Sequence, residues 1–275
     1  MKKRKGKPTR VMIMSDLHCG NVSGIVPKHL WQRYSPFYHQ QRTVWNFYNK
    51  AVETVKRERP VDLLVVNGDA IDGKGEKAGG TEIFLADRQD QYLCAKDVID
   101  VVEAKEHHFT FGTPYHTGKG EDWERPLAEI YNAPIDPVAQ FSIHGIGFNV
   151  KHKVGASQIH YNRANQISKE RLNNLIWADY NGQLNARIVV RSHTHGFIYA
   201  GDHRFLACVT PGMQGFGSKY GSRQAGNLIA VGFIIVDVYP NGTIDFDWFV
   251  MPFEVVVKRE NKIYTSYETR LKEWE

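Results

Sequence analysis

The feature of this sequence that most constrains its fold is a set of short apolar segments, each followed by a polar loop that contains glycine. Arg10–Met14, Leu63–Val66 and Arg187–Arg191 are three such segments, and their length and composition suit buried strands. Ligands of open α/β sheets bind beyond the carboxyl ends of the strands. We therefore expect a site built from several loops at one edge of a sheet.

The segments between these strands predict an α/β fold. Apolar residues at helical spacing predict helices over residues 42–59, 81–104 and 158–178. The first of these helices would join two parallel neighbouring strands. Other patterns predict a strand at 108–111 and a hairpin within 138–152. From Phe197 onward the sequence is rich in strand patterns, and we expect that half to form an antiparallel sheet.

The net charge of +5 is concentrated at the N-terminus. Six basic residues lie there: Lys2, Lys3, Arg4, Lys5, Lys7 and Arg10. Without them the chain has 29 basic and 30 acidic residues, which argues against a polyanion-binding surface over the whole protein. We predict a basic, flexible arm over residues 1–10, able to contact nucleic acid, and a single domain over residues 11–275.

The three cysteines, Cys19, Cys94 and Cys208, form no CxxC pair and cannot all be joined in disulfides. This favours a reducing, cytoplasmic setting. No segment approaches the roughly 18 to 20 apolar residues of a membrane span, and we expect no targeting peptide.

Two short motifs begin where predicted strands end. Asp16-Leu-His18 follows the first strand and His193-Thr-His195 follows the strand at 187–191, while Asp69 and Asp72 follow the second strand in the same way. Each motif is common by chance, so its position carries the signal. Carboxylates that meet at one edge repel one another unless cations keep them ionised. Imidazole and carboxylate ligands without thiolate favour Mn, Fe or Zn over Ca or Mg.

The ordered set of motifs resembles the calcineurin-like metallophosphoesterases. The motifs of that family run D-x-H, G-D-x-x-D, G-N-H-D/E, an isolated H, and G-H-x-H, and four of the five are recognisable between residues 16 and 195. The resemblance implies a four-layer α/β/β/α sandwich with mixed sheets and a metal site at one edge. It also implies hydrolysis of a phosphoester by a metal-bridging hydroxide.

The resemblance implies two divalent metal ions, with Mn preferred and Fe or Zn as alternatives. The first ion would be held by Asp16, His18, Asp69 and His195. The second would be held by Asp69, His152, His193 and a residue of the third motif. Asp69 would therefore bridge the pair.

The third motif departs from the family pattern. Gly112–His116 reads GTPYH, so Thr113 occupies the asparagine position and would be a weaker metal ligand. His116 is displaced by two residues, where it would act either as general acid or as a replacement ligand. Asp72 would orient His116 in the first role. The orienting acid could instead be Asp122 or Glu121.

Two competing interpretations concern the same segments. His144 is an alternative to His152 as the isolated histidine, but His152 ends a predicted strand and His144 lies at a turn, so we prefer His152. Residues 68–74 fit the glycine and lysine positions of a nucleotide-binding P-loop. Gly75 stands where that loop needs Ser or Thr, which argues against it.

The sequence therefore predicts a metal-dependent phosphoester hydrolase, with a leaning to phosphodiesters or nucleic acid because of the basic arm. A phosphomonoesterase is the nearest alternative. A scaffold that binds metal or phosphate without turnover is a third possibility, suggested by Thr113.

Overall fold

The computed structural model describes residues 6–117, 122–155, 162–180, 182–215 and 229–251, which form two mixed β-sheets with helices outside them. The strands of the first sheet are β1 (Thr9–Met14), β2 (Leu63–Asn67), β3 (Glu106–Thr110), β4 (Ile135–Asp136), β10 (Gly232–Val238) and β11 (Ile244–Val250). The strands of the second are β5 (Ala139–Ile143), β6 (Ile146–Val150), β7 (Ile188–Arg191), β8 (Ile198–Gly201) and β9 (Leu206–Val209). Their orders are β11-β10-β1-β2-β3-β4 and β5-β6-β7-β9-β8.

The helices of the described residues lie between these strands. They are α1 (Tyr38–Glu58), α2 (Arg88–Asp100), α3 (Pro114–Thr117), α4 (Glu124–Ile130) and α5 (Arg163–Asp179). The second helix starts later than predicted because Asp87 caps it, its carboxylate accepting a hydrogen bond from the Gln89 N–H at 2.6 Å. None of the helices in these ranges combines the length and apolar character that a bilayer span requires.

Alternation along the strands creates four layers. In β1, Val11 and Ile13 pack between the two sheets, whereas Met12 and Met14 pack in the cluster that includes residues of α1 and α2. On the far face of the second sheet, Ile167 of α5 packs with residues of β7 and β9. The predicted α/β/β/α arrangement with mixed sheets is therefore confirmed.

The strand-rich second half does not form an antiparallel sheet of its own, so that prediction was wrong. The strands β10 and β11 instead pair antiparallel along the free edge of β1. In the second sheet, β7 pairs parallel with both β6 and β9. The physical reason lies in β10, which is buried over its whole length and therefore needs covering layers on both faces.

Arg10, the last residue assigned to the predicted basic arm, instead belongs to the first sheet. Strand β1 begins at Thr9, and Arg10 is buried within it. The Arg10 guanidinium donates two hydrogen bonds to the Asp237 carboxylate of β10, at 2.9 and 2.8 Å. Arg10 therefore belongs to the folded sheet and cannot serve as an arm cation. Residues 1–5 lie outside the described residues.

Candidate metal centre

The predicted ligands follow the carboxyl ends of β1, β2, β6 and β7, and most have an unusual backbone. Left-handed φ angles occur at Asp16 (52°), His18 (45°), Asp69 (52°), His193 (75°) and His195 (54°). Such angles are uncommon for residues other than glycine and cost free energy. The loops therefore hold these side chains in positions that ordinary turns do not provide.

One cluster of the site contains Asp16, His18 and His195. The Oδ1 atom of Asp16 lies 3.2 Å from His195 Nε2, and the Nε2 atoms of His18 and His195 are 3.1 Å apart. Asp16 and His18 are buried, and His195 is partly exposed. Candidate ligand atoms of the three residues lie within 4.8 Å of one another, close enough to share one cation.

A second cluster contains Asp69, His152 and His193. Asp69 Oδ2 lies 2.9 Å from His152 Nε2 and 3.9 Å from His193 Nδ1. His152 Nε2 is also 3.9 Å from Asp16 Oδ1, so the two clusters adjoin. The His193 side chain is 35% exposed, which leaves this side of the centre accessible to a ligand.

The donor groups of the two clusters fit divalent cations. Nδ1 of His18 is 2.8 Å from the Asp72 carboxylate, and Nδ1 of His152 is 2.7 Å from the Asn67 carbonyl. In the neutral form of His18 and of His152, these hydrogen bonds place the proton on Nδ1. The Nε2 atom of each ring is then the atom that could bind a cation. Asp16 Oδ1 and His152 Nε2 are buried and make no well-directed hydrogen bond, although His195 Nε2 and Asp69 Oδ2 lie 3.2 and 2.9 Å from them, which suits atoms that bind a cation.

The electrostatics also indicate a place for positive charge. Burial opposes ionisation of Asp16 and Asp69, but the neighbouring histidines outweigh burial and lower the pKa of both carboxylates. Burial likewise lowers the pKa of His152, but the charges of Asp69 and Asp16 overcome it and raise the pKa to about 10. Without metal, the His152 proton therefore compensates charge that a bound cation would otherwise balance.

Two glycines are required by close contacts in this centre. Gly68 has a φ of 73°, and an added Cβ would lie 2.7 Å from the His152 ring. An added Cβ at Gly112 would collide with the backbone and side chain of Asp69. Both positions therefore need glycine for the loops after β2 and β3 to approach each other.

Thr113 of the third motif lies against Asp69. Its N–H donates to Asp69 Oδ1 at 2.6 Å, and its hydroxyl lies 3.1 and 3.2 Å from the two carboxylate oxygens. The structure thus places Thr113 beside the second cluster, where it holds Asp69 in position. A role as metal ligand stays a prediction.

His116 lies beside both clusters and forms, with His18 and Asp72, a third group of metal-ligand type. Its Nδ1 is 3.1 Å from the Asp72 carbonyl oxygen and 3.3 Å from the Asp72 carboxylate, and its Nε2 is 3.8 Å from Asp69 Oδ2. Burial lowers its pKa, but Asp69 and Asp72 outweigh burial and raise the pKa to about 9. Asp72 is thus placed to orient this histidine. The alternative Asp122 instead accepts a hydrogen bond from the Arg125 N–H, and Glu121 lies outside the described residues.

The structure separates the two candidates for the isolated histidine. His152 lies in the second cluster, whereas His144 sits at the turn between β5 and β6 with its Nε2 3.0 Å from Thr9 Oγ1. His144 belongs to none of the clusters of metal-ligand type found in the described residues.

Sequence reasoning missed Glu124, a buried carboxyl at the start of α4. It accepts hydrogen bonds from the Gly112 N–H at 2.5 Å and the Ala70 N–H at 3.2 Å, joining the loops after β2 and β3. Burial, together with the charge of Asp69, raises the pKa of Glu124 to about 7. A single acidic residue at the start of a short helix gives no sequence signal for such a role.

A buried polar chain beneath the centre was also missed. Thr110 donates to the Asn67 amide oxygen at 2.7 Å, and the Asn67 amide donates to Ser192 Oγ at 2.5 Å. Thr210 Oγ1 then lies 2.7 Å from both Ser192 Oγ and Ser15 Oγ. This chain of hydrogen bonds joins strand ends of both sheets. The sequence feature that could have predicted it is a polar residue at the end of each apolar strand.

We expect Asn67→Ala to weaken metal binding by roughly 10- to 100-fold, because the Asn67 carbonyl orients His152 and its side chain fixes that backbone. The free energy of unfolding should also fall by about 1–3 kcal/mol, since buried partners lose hydrogen bonds. Asn174→Ala is the matched control, because Asn174 is equally buried but bonds Leu184 and Ala186. Equal loss of metal affinity in both variants, measured by competitive metal titration, would contradict the positioning role.

Comparisons with known proteins find similar folds. No protein-family model matches the chain, and no curated protein gives a significant match. The chain is similar to an archaeal phosphodiesterase, with 17% identity, 88% of this chain and 99% of that chain covered, and a TM-score of 0.45. It is similar to Vps29 from Entamoeba histolytica complexed with zinc, with 12% identity, 88% and 98% covered, and a TM-score of 0.43. It is also similar to the sulfate thiohydrolase SoxB of Thermus thermophilus, with 11% identity, 100% and 61% covered, and a TM-score of 0.43.

With identities of 17% or less and TM-scores of 0.45 or less, these similarities do not indicate the chemistry of this chain. Its chemistry has to be inferred from its own residues.

Proposed function

We propose that this chain is a metal-dependent phosphoester hydrolase of the calcineurin-like type that its motifs resemble. The observation that carries the proposal is the pair of adjoining clusters, each with one carboxylate and two imidazoles. Asp16, His18 and His195 would hold one divalent ion, and Asp69, His152 and His193 the other, with Asp69 shared between them. The donor set suits Mn, with Fe or Zn as alternatives.

Two such ions would lower the pKa of a bound water enough for it to act as a nucleophile near neutral pH, and they would add positive charge near the phosphoryl oxygens. The residues of the chain supply the rest. His193 lies on the accessible side of the centre, next to the place where the phosphoryl group would bind. In hydrolysis, the attacking water loses a proton to solvent and its oxygen bonds to phosphorus, while the bond from phosphorus to the leaving oxygen breaks. His116, protonated near neutral pH and oriented by Asp72, donates its proton to that leaving oxygen.

The test of this proposal is turnover of a simple phosphodiester and a simple phosphomonoester by protein supplied with Mn. We expect hydrolysis of at least one ester, loss of activity with a chelator, and recovery with added metal. The rival scaffold would bind metal by elemental analysis and hydrolyse neither ester. Preference for the diester would favour a phosphodiesterase over the phosphomonoesterase alternative.

Metal uptake should depend steeply on pH. In the metal-free protein His152 keeps its proton below about pH 10, because its pKa is raised to about 10. Metal must displace that proton, so affinity should rise with pH up to that value and binding at pH 7 should release roughly one proton from this ring. Proton release is measured by pH-stat during metal titration, with His144→Gln as a control that keeps it. Uptake without proton release at pH 7 would contradict the assignment of His152.

Nucleic acid as substrate rests only on the basic residues ahead of β1. Arg10 is engaged with Asp237, which leaves Lys2, Lys3, Arg4, Lys5 and Lys7 as candidate phosphate contacts. We therefore place small phosphodiesters ahead of nucleic acid in this proposal.

A further inference from the structure

Helix α5 exposes apolar side chains on the side that faces away from the second sheet. Its buried side carries Ile167, which packs with residues of β7 and β9. By contrast, four side chains are largely in solvent: Leu172 (55% exposed), Leu175 (40%), Ile176 (46%) and Tyr180 (75%). Counted from Leu172, their spacing of three, four and eight residues places them along one side of a helix. A helix in the outermost layer of a fold normally has a polar outer side, so this apolar stripe points to an interaction.

The exposed apolar surface of α5 is large enough to be part of an interface. Together with the neighbouring Trp177, which is also exposed, the stripe presents roughly 500 Å² of apolar surface, in the range of the largest and often functional patch of a typical monomer. A specific interface buries about 800 Å² on each partner. The exposed polar residues beside the stripe, among them Asn165, Lys169 and Asn173, supply the remaining area.

The charges of this face suit a second copy of the same face. If two α5 helices lay antiparallel across a twofold axis level with Asn174, Leu172 of each copy would meet Ile176 of the other. The same arrangement would set Lys169 opposite Asp179, once on each side of the axis. Both charged residues are exposed, and neither has an ion-pair partner within the described ranges of the chain. The face is therefore complementary to itself in its apolar contacts and in its charges.

A groove along the N-terminal half of α5 adds a match in shape. It has a volume of about 400 Å³, and its lining includes Asn165, Ser168, Lys169 and Leu172. In the antiparallel pair, Ser168 of one copy is level with Tyr180 of the other, so the most exposed ring of the stripe would enter this groove. Aromatic side chains that fill a pocket of the partner commonly dominate the binding energy of an interface.

We propose that this face of α5 is the interface of a symmetric dimer of this chain, formed by an antiparallel pair of α5 helices. In a twofold dimer every contact occurs twice, so a face that complements itself gains from each of its residues two times. The face contains none of the candidate metal ligands, and the dimer is therefore independent of the proposed hydrolase.

The first test is the oligomeric state of the chain, measured by sedimentation velocity over a roughly 100-fold range of concentration. We expect a dimer that dissociates on dilution. Leu172→Ala and Ile176→Ala should each raise the Kd of the dimer by roughly tenfold or more, because each change removes a contact on both sides of the axis. Leu93→Ala is the matched control, since Leu93 is an exposed leucine of α2, and it should leave the Kd unchanged.

Exchanging charges tests the antiparallel arrangement itself. Lys169→Glu and Asp179→Lys should each weaken the dimer by roughly tenfold, because each places two pairs of like charges across the axis. An equimolar mixture of the two variants should form the dimer again, since opposite charges then face each other at both places. A mixture that associates no more tightly than either variant alone would overturn the antiparallel pair.

A chain that stays monomeric at every concentration, or a dimer that none of these variants weakens, would overturn the proposal. In a monomer, a lower Tm of Ile176→Ala would show that another part of the same chain covers the stripe. An unchanged Tm would leave the stripe to a different protein.

Discussion

Asp69→Asn is expected to lower the metal content of the protein from the two proposed ions toward none and to abolish most of the proposed hydrolysis. Its carboxylate lies 2.9 Å from His152 Nε2, 3.9 Å from His193 Nδ1 and 3.8 Å from His116 Nε2, so it is central to the second cluster. Losing one outer hydrogen-bond partner of a ligand costs roughly 10- to 100-fold in metal affinity or activity, and losing a shared carboxylate should cost more.

The asparagine variant separates charge from shape, because its side chain keeps the size of aspartate. Asp62→Asn is the matched control, since Asp62 lies just before β2 and pairs with the exposed Lys105 at 2.5 Å. Asp16→Asn should remove mainly the metal ion that Asp16, His18 and His195 are proposed to hold. Elemental analysis and turnover are measured on all three variants, and full metal content in Asp69→Asn would show that Asp69 bridges nothing.

Much of the framework of the candidate centre could be predicted because strand ends are visible in sequence. The apolar run before Asp16 and the one before Asp69 are short, and each becomes a buried strand whose loop carries site residues. Parallel pairing of β1 and β2 then brings both loops to one edge. The choice of His152 over His144 used the same logic, and the structure places only His152 among the clusters.

What could not be predicted depends on partners that are far apart in the chain. From the sequence, strand β10 is predicted to belong to a separate sheet. Its true place follows from its burial between the α-helices and the second sheet, which only the structure shows. Arg10 looks like one more cation of a basic arm, because its partner Asp237 lies 227 residues away. Glu124 and Asn67 act through hydrogen bonds to other loops, which leave no pattern in their own neighbourhoods. The cytoplasmic setting stays a prediction from the three cysteines, all of which are buried and free.

The departure of the third motif makes His116 the most informative residue to change. As a general acid it would matter most for poor leaving groups, so His116→Ala should slow hydrolysis of an alkyl or nucleoside ester by roughly 10²-fold while sparing a nitrophenyl ester. Metal content should stay at its wild-type value. His29→Ala is the control, because His29 is an exposed histidine paired with Asp97.

We propose the acid role for His116, whose Nδ1 is directed to Asp72; its grouping with His18 and Asp72 in a third cluster of metal-ligand type makes the ligand role the alternative that the experiment tests. As a general acid His116 would need a proton to give, and Asp69 and Asp72 favour that proton by raising the pKa of the ring. As a replacement ligand, His116 would instead hold metal whatever the leaving group, so its loss would slow both esters alike and remove one ion. Equal slowing with one ion lost would therefore assign His116 to the second metal, and unchanged rates for both esters would remove it from the mechanism.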